Sequence, residues 1–148
     1  MRLQALIRPS GTFRVKARRI LAFLDYLFGR HGGRLAGMFR TPPDRLRAEL
    51  LAIPGIGPET ADAILLYAGG VPEFVADAYT RRVFHRHYFL RRGASYEETK
   101  ALFHLALPRD ALLFNEYHAL IVELGKVHCR TIPRCRGCPL ESDPHREG

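Results

Sequence analysis

The sequence has few lysines and no long apolar run. Lysine occurs only at Lys16, Lys100 and Lys126, although the formal net charge of the 148 residues is +8, so arginine carries most of the positive charge. No apolar run approaches the length that crosses a bilayer, and the N-terminal residues lack the hydrophobic segment of a signal peptide. We therefore predict a cytoplasmic protein that does not enter a membrane.

The surplus of positive charge is large, and the sequence pI is near 9.9. It favours a polyanionic partner, because each phosphate that a basic side chain neutralises releases counterions and adds affinity. A basic surface that is only solvated remains the alternative. Charge alone therefore points towards nucleic acid without establishing it.

Apolar residues recur mainly at helical spacing, and alternating strand patterns are scarce. One helix is predicted from about residue 14 to residue 29, where a His-Gly-Gly run ends it. Thr41 is predicted to cap a second helix, and Ser95 with Glu98 forms a capping box for a third. A long core helix is predicted over residues 109–126. The predicted fold class is all-α.

The buried faces of two of these helices follow from the same periodicity. The face of the first helix consists of four apolar residues: Ile20, Leu24, Leu27 and Phe28. The face of the long core helix has five members: Leu113, Tyr117, Leu120, Ile121 and Leu124. The face of the long helix marks it as a core helix.

A glycine-containing turn at residues 51–60 joins two predicted helices. Gly55 and Gly57 flank a single apolar residue, so the backbone can turn tightly and bring N–H groups close to an anion. Pro58 suits the first position of a helix, whose positive end then points at the same loop. That helix has an apolar face made of Ala61, Ile64, Leu65 and Ala68. The pattern predicts a phosphate-binding turn, and a tight turn with no ligand is the alternative.

All three cysteines lie in the C-terminal tail, at Cys129, Cys135 and Cys138. A close Cys-x-x-Cys with a third cysteine upstream is typical of metal ligands, and clustered cysteines in a cytoplasmic chain more often bind metal than form disulfides. The spacing therefore predicts a metal site in the tail.

Four segments of the sequence resemble segments of the endonuclease III superfamily of base-excision DNA glycosylases. They occur in the same order as in that superfamily. The resemblance covers about residues 6–140, and its segments are LIRPSGTFRVKA from Leu6, IPGIGPETAD from Ile53, VADAYTRR from Val75, and GKVHC from Gly125 with the two later cysteines. It implies a helical bundle of the helix-hairpin-helix glycosylase type with part of the N-terminal helices absent. The implied division is a core at residues 1–108 and a C-terminal helix with a cysteine-containing tail at residues 109–148.

The resemblance implies that Asp77 is catalytic. Its carboxylate would assist the attack of water and stabilise the positive charge that develops on the sugar. Local sequence alone makes Asp77 a helix N-cap, and the two roles are compatible. Glu59 stands where the strand-cleaving members carry a lysine, and glutamate cannot form their Schiff base. We therefore expect a monofunctional glycosylase with weak or absent AP-lyase activity, similar to the branch that removes 3-methyladenine.

The resemblance also implies which residues bind DNA. Seven positions are expected to contact it: Ile53, Pro54, Gly55, Ile56, Gly57, Thr60 and Arg81. Arg82 could approach phosphate in the same way, with a merely exposed helix as the alternative. The backbone carbonyls of Leu51, Ile53 and Ile56 are expected to bind a monovalent cation that bridges to a phosphate.

In the family, the cysteine-containing tail holds a 4Fe-4S cluster through four thiolates. This sequence has no fourth cysteine near Pro144. His145 or Asp143 could take its place, zinc could occupy a site of three cysteines and one histidine, or the site could stay empty.

The sequence thus predicts a glycosylase that acts on duplex DNA with a damaged base, as a monomer in the cytoplasm, associated with the nucleoid if its source is bacterial. The alternative is a non-catalytic helix-hairpin-helix DNA-binding module. Compared with the family's domain, the chain starts several helices late, which suggests a shortened form or a degenerate paralogue. Apolar faces of the helices from Arg14 and Arg109 are then expected to be exposed.

Overall fold

The computed structural model describes residues 2–146, which fold into eight α-helices and contain no β-strand. The all-α prediction is therefore confirmed. None of the described helices is both long and apolar enough to cross a bilayer. The helices are α1 (Arg2–Leu6), α2 (Phe13–His31), α3 (Leu35–Met38), α4 (Pro43–Leu51), α5 (Pro58–Ala63), α6 (Ala78–Arg86), α7 (Tyr96–Ala106) and α8 (Ala111–Val127).

The chain divides into two compact units, one ending at Ala61 and the other beginning at Asp62. The first unit has a small core in which α2, α3 and α4 bury five side chains: Ala17, Leu27, Met38, Leu46 and Leu50. The boundary predicted after residue 108 falls inside the second unit, because α7 and α8 contribute to the same hydrophobic core.

Phe74 lies at the centre of the second unit's core and is fully buried. Its ring stacks on Phe103 of α7, with centroids 3.7 Å apart, and meets Phe114 of α8 edge-on at 5.4 Å. Aromatic pairs in both arrangements stabilise a core beyond the area they bury. The irregular segment that carries Phe74 is thereby fixed between two helices.

Side-chain caps begin three of the described helices, α6, α7 and α8. Ser95 and Glu98 form the predicted capping box at the start of α7. The prediction that Thr41 caps the second helix is wrong, because Pro42 occupies the N-cap and α4 begins at Pro43 without a side-chain cap. Asp110 caps α8 by accepting a hydrogen bond from the Leu113 N–H at 2.8 Å.

The predicted core faces are only partly buried. On α2, Leu27 is buried but Phe28 is 64% exposed, and on α8, Ile121 is buried but Leu120 is 61% exposed. The expectation that the named face of α8 lies in the core is therefore wrong for Leu113 and Leu120, and three residues of the named α2 face are exposed as well. The prediction of exposed apolar surface on the same helices is confirmed.

The helix after the glycine turn is not a continuous α-helix. It changes to a π-helical segment, Ile64–Ala68, in which the Gly69 N–H reaches the carbonyl of Ile64 at 3.1 Å. Leu65 is buried as the periodicity predicts, but Ala68 is exposed because the wider turn rotates it away. Single π-helical turns inside helices occur frequently at functional sites.

A buried ion cluster joins three parts of the second unit. The ammonium of Lys100 on α7 is 2.9 Å from a carboxylate oxygen of Asp62 and contacts the carboxylate of Glu73. All three side chains are almost completely buried. The Arg109 guanidinium donates to Glu73 at 3.0 Å, and the Tyr96 hydroxyl donates to Asp62 at 2.9 Å. The cluster therefore fixes the irregular segment before Asp77 to α5 and α7.

Lys100→Met should destabilise the fold by about 3–5 kcal/mol, because it leaves buried carboxylates without their cation. The matched control is Lys126→Met on the exposed side of α8, which should change stability by about 0.5 kcal/mol or less. Urea unfolding followed by circular dichroism measures both. Equal stabilities for the two variants would contradict this description of the cluster.

Candidate active site and hairpin

Asp77 is the N-cap of α6. Its Oδ1 accepts hydrogen bonds from the Thr80 N–H at 2.8 Å and from the Thr80 hydroxyl at 2.9 Å, and the residue is only 9% exposed. The capping role indicated by local sequence is confirmed. Because both bonds go to one oxygen, Oδ2 is left for other chemistry.

His118 of α8 faces that second oxygen. Its Nε2 is 3.5 Å from Oδ2, longer than an ordinary hydrogen bond, and this buried atom has no hydrogen-bond partner within residues 2–146. On the other side of the ring, Nδ1 contacts the hydroxyl of Tyr67 in the π-helical segment. The three side chains form a line from Asp77 through the imidazole to the phenol.

The electrostatics of this line keep Asp77 ionised. Burial raises the pKa of its carboxyl, but the interactions with His118 and Thr80 outweigh that effect and hold the pKa below the ordinary value of 3.8. The pKa of Tyr67 is raised, first by burial and then by the charge of Asp77. A protonated phenol can donate to Nδ1, which places the imidazole proton on Nε2, facing Asp77.

The hairpin lies in the first unit, at residues 53–57. Ile53 and Ile56 are buried, and the Ile56 N–H donates to the Ile53 carbonyl at 3.0 Å. Pro54 and Gly55, which lie between these two residues, and Gly57, which follows them, are exposed. The turn therefore anchors two apolar side chains and presents its intervening backbone to solvent. The predicted DNA and cation contacts of this turn stay predictions.

The two hairpin glycines differ in what the fold requires of them. Gly55 has φ +91°, and a Cβ there would overlap the side chain of Arg19 from α2. Gly57 has no positive φ, and a Cβ there would meet nothing within 4 Å. Glycine at position 57 is therefore not demanded by the fold, and its open surface is consistent with close approach of a ligand.

Glu59 is exposed in the first turn of α5. The hairpin sequence contains no lysine. Lys16 donates to the Ser10 carbonyl, and Lys100 is buried in the ion cluster. Lys126 is exposed on α8. No lysine close to Glu59 in the sequence therefore replaces the lysine that the strand-cleaving members of the family carry at this position.

Arg81 and Arg82 have different surroundings on α6. The Arg82 guanidinium donates to the carbonyls of Cys129 at 2.6 Å and Gly125 at 3.0 Å, and it lies over the Tyr79 ring. Two of its donors thus satisfy the C-terminal end of α8, and an approach of Arg82 to phosphate stays an open alternative. Arg81 is half-buried, and its contact with DNA stays a prediction, as does that of exposed Thr60.

The predicted metal ligands line one pocket of the tail: Cys129, Cys135, Cys138 and His145. Within residues 2–146, however, no three histidine, cysteine or acidic side chains are close enough together to hold a metal ion. The ligands are engaged elsewhere, since the Arg86 guanidinium donates to the Cys129 sulfur at 3.3 Å and His145 Nδ1 lies 2.6 Å from the Asp143 carbonyl. A preformed four-ligand arrangement is therefore not found, and the cofactor stays a prediction.

Sequence reasoning missed His118 and Tyr67, although both help define the surroundings of Asp77. His118 belongs to the apolar helix α8, where a lone histidine gives no functional signal. Residues 67, 77 and 118 become neighbours only through the packing of the second unit. No local pattern could have joined them.

Comparison with known proteins identifies the family that the chain resembles. The family model for the helix-hairpin-helix motif matches residues 44–67. A relative from Methanocaldococcus jannaschii, named as a DNA repair glycosylase, is 44% identical over 95% of this chain and 64% of its own length. Endonuclease III of Thermotoga maritima is 33% identical over 95% of this chain and 61% of its own length.

A solved structure of endonuclease III in a non-covalent complex with DNA matches with a TM-score of 0.81 and 31% identity, covering 99% of this chain and 64% of that one. The fold and the hairpin define a helix-hairpin-helix protein. The chain belongs to the endonuclease III-like helix-hairpin-helix DNA glycosylase superfamily. It spans less than two thirds of the length of each of these relatives.

Acid titration distinguishes two contributions of Asp77 to stability, its capping hydrogen bond and its negative charge. Because the pKa of this carboxyl is lower in the folded protein, its charge stabilises the fold above about pH 4 and stops doing so as pH falls through the folded pKa. Asp77→Asn retains an acceptor for the Thr80 N–H but has no charge. Wild type should therefore be the more stable protein at neutral pH, and the difference should shrink as the pH falls through the lowered folded pKa of Asp77. Urea unfolding across this range measures it, and a difference independent of pH would contradict the lowered pKa.

Proposed function

We propose that the protein is a base-excision DNA glycosylase that hydrolyses the N-glycosidic bond of a damaged base in duplex DNA. The observation that carries the proposal is the ionised, mostly buried carboxylate of Asp77, with one oxygen held by the cap and the other facing His118. A desolvated and positioned negative charge is suited to a reaction in which positive charge develops. The DNA repair names of the relatives support the same reaction class.

The reaction proposed for this site is a hydrolysis. As the bond between C1′ and the base nitrogen breaks, its electron pair leaves with the base, and the sugar acquires positive charge that Asp77 stabilises. Water then forms the new C1′–O bond and gives a proton to the carboxylate. The proton passes to solvent or to the departing base, which restores Asp77. His118 keeps its proton towards the same carboxylate and orients it.

Glu59 supports the monofunctional form of this chemistry. An amine at that position could attack C1′ and form a Schiff base, whereas a carboxylate cannot. The buried ammonium of Lys100 is already held by two carboxylates, which leaves it unsuited to the role. We therefore propose release of an abasic site without efficient strand cleavage. The non-catalytic module is the alternative that the same glutamate favours.

Single-turnover assays on duplexes that each carry one lesion, with 3-methyladenine and uracil among them, test this proposal. Alkali cleaves the abasic product, and borohydride traps any Schiff base. Wild type should release at least one base and form no trapped adduct. Asp77→Asn should slow release by about 10²–10³-fold, because it removes the charge facing the developing cation.

The matched control is Asp110→Asn, which neutralises another capping aspartate, on α8, and should leave base release unchanged. Glu59→Lys should introduce some trapping. Efficient trapping by wild type would contradict the monofunctional assignment. Absence of release from every duplex, with DNA binding intact, would favour the binding module.

We further propose that a metal ion draws Cys129, Cys135, Cys138 and His145 together in the tail, because all four line one pocket although no three of them are close enough to hold an ion in the described structure. Arg86, Arg134 and Arg146 line the same pocket. Such a centre would tie the tail together rather than take part in hydrolysis.

Anaerobically purified protein should therefore contain bound metal. An iron–sulfur cluster predicts a brown protein with broad absorbance at about 400 nm and with iron and sulfide in cluster proportions. Cys135→Ser should lower the metal content. Zinc alone would exclude the cluster, and protein purified without any bound metal would contradict the proposed centre.

A further inference from the structure

Arg19 of α2 lies across the hairpin. If Gly55 carried a side chain, its Cβ would overlap the Arg19 Cγ and stand 2.9 Å from both Cδ and Nε. The aliphatic part of the arginine thus lies beside the exposed glycine, and the guanidinium is carried to the same turn. Sequence reasoning placed no function on this residue, which is far from the turn along the chain.

The charge of Arg19 is not used inside the first unit. Within the described residues its guanidinium has no hydrogen bond, ion pair or aromatic partner, and the side chain is exposed. Arg45 of the same unit, by contrast, pairs with Glu49 at 3.0 Å. An arginine whose stem lies against the turn and whose charge has no internal partner can donate to an external anion at that turn.

We propose that Arg19 is a phosphate-binding residue of the hairpin, and that Gly55 is needed partly to seat it. The ligand is the phosphodiester of a nucleic acid, so the inference rests on the proposed function. A guanidinium donates to phosphate oxygens in a planar fork, alongside any backbone N–H groups of the turn. Such a contact adds affinity without reading base sequence.

Arg19→Gln tests this proposal, because glutamine keeps part of the stem over Gly55 and removes the charge. Arg18→Gln is the matched control: it removes the same charge from the neighbouring position of the same helix. The probe is an undamaged, fluorophore-labelled duplex, with affinity measured by anisotropy at several KCl concentrations. Thermal unfolding of each variant reports any structural effect.

Arg19→Gln should weaken binding about fivefold to tenfold and reduce the slope of log affinity against log salt by about 0.9, the change expected for one lost phosphate contact. Arg18→Gln should have a smaller effect on both. Equal effects of the two variants would overturn the proposal, as would a loss of thermal stability with the salt slope unchanged.

Gly57→Ala separates this inference from the proposed function, because nothing lies within 4 Å of the added Cβ in the unbound protein. If Gly57→Ala weakens binding and Arg19→Gln binds normally, the hairpin remains the DNA site. That result would overturn only the proposed role of Arg19. A wild-type protein that does not bind the duplex at all would overturn both.

Discussion

The ammonium of Lys100 lies between two carboxylates that belong to different parts of the second unit. Asp62 follows the hairpin in sequence, and Glu73 stands in the irregular segment that leads to Asp77. Isolated buried charges are costly, so each member of the cluster requires the others. Together with the stacking of Phe74 on Phe103, the cluster determines where the segment before Asp77 can run. The position of the carboxylate follows from that constraint.

Capping and catalysis by Asp77 use different oxygens. Oδ1 receives both bonds from Thr80, which orients the carboxylate and satisfies an N–H at the start of α6. Oδ2 faces the imidazole of His118, whose other nitrogen contacts Tyr67. A carboxylate held in this way needs little reorganisation when positive charge develops nearby. The ordinary structural role therefore supports the proposed chemical one.

Much of the fold could be predicted because its signals are local. Helical periodicity, the capping box at Ser95 and the turn at Gly55 each depend on residues a few positions apart. The neighbours of Asp77 and Gly55 could not be predicted, since His118 and Arg19 are joined to them by packing alone. The same limit applies to Arg82, which donates to carbonyls at the end of α8. The partly exposed faces of α2 and α8 show that apolar periodicity predicts a helix better than it predicts burial.

The central claim is that the charge of Asp77 stabilises a cationic sugar. The most direct measurement compares two duplexes, one carrying a cationic pyrrolidine in place of the sugar and the other a neutral tetrahydrofuran analogue. Neither requires the damaged base to be known. Wild type should bind the pyrrolidine duplex at least about 10²-fold more tightly, as expected for a mimic of the transition state, and Asp77→Asn should lose most of that preference. Equal preference in the two proteins would contradict the claim.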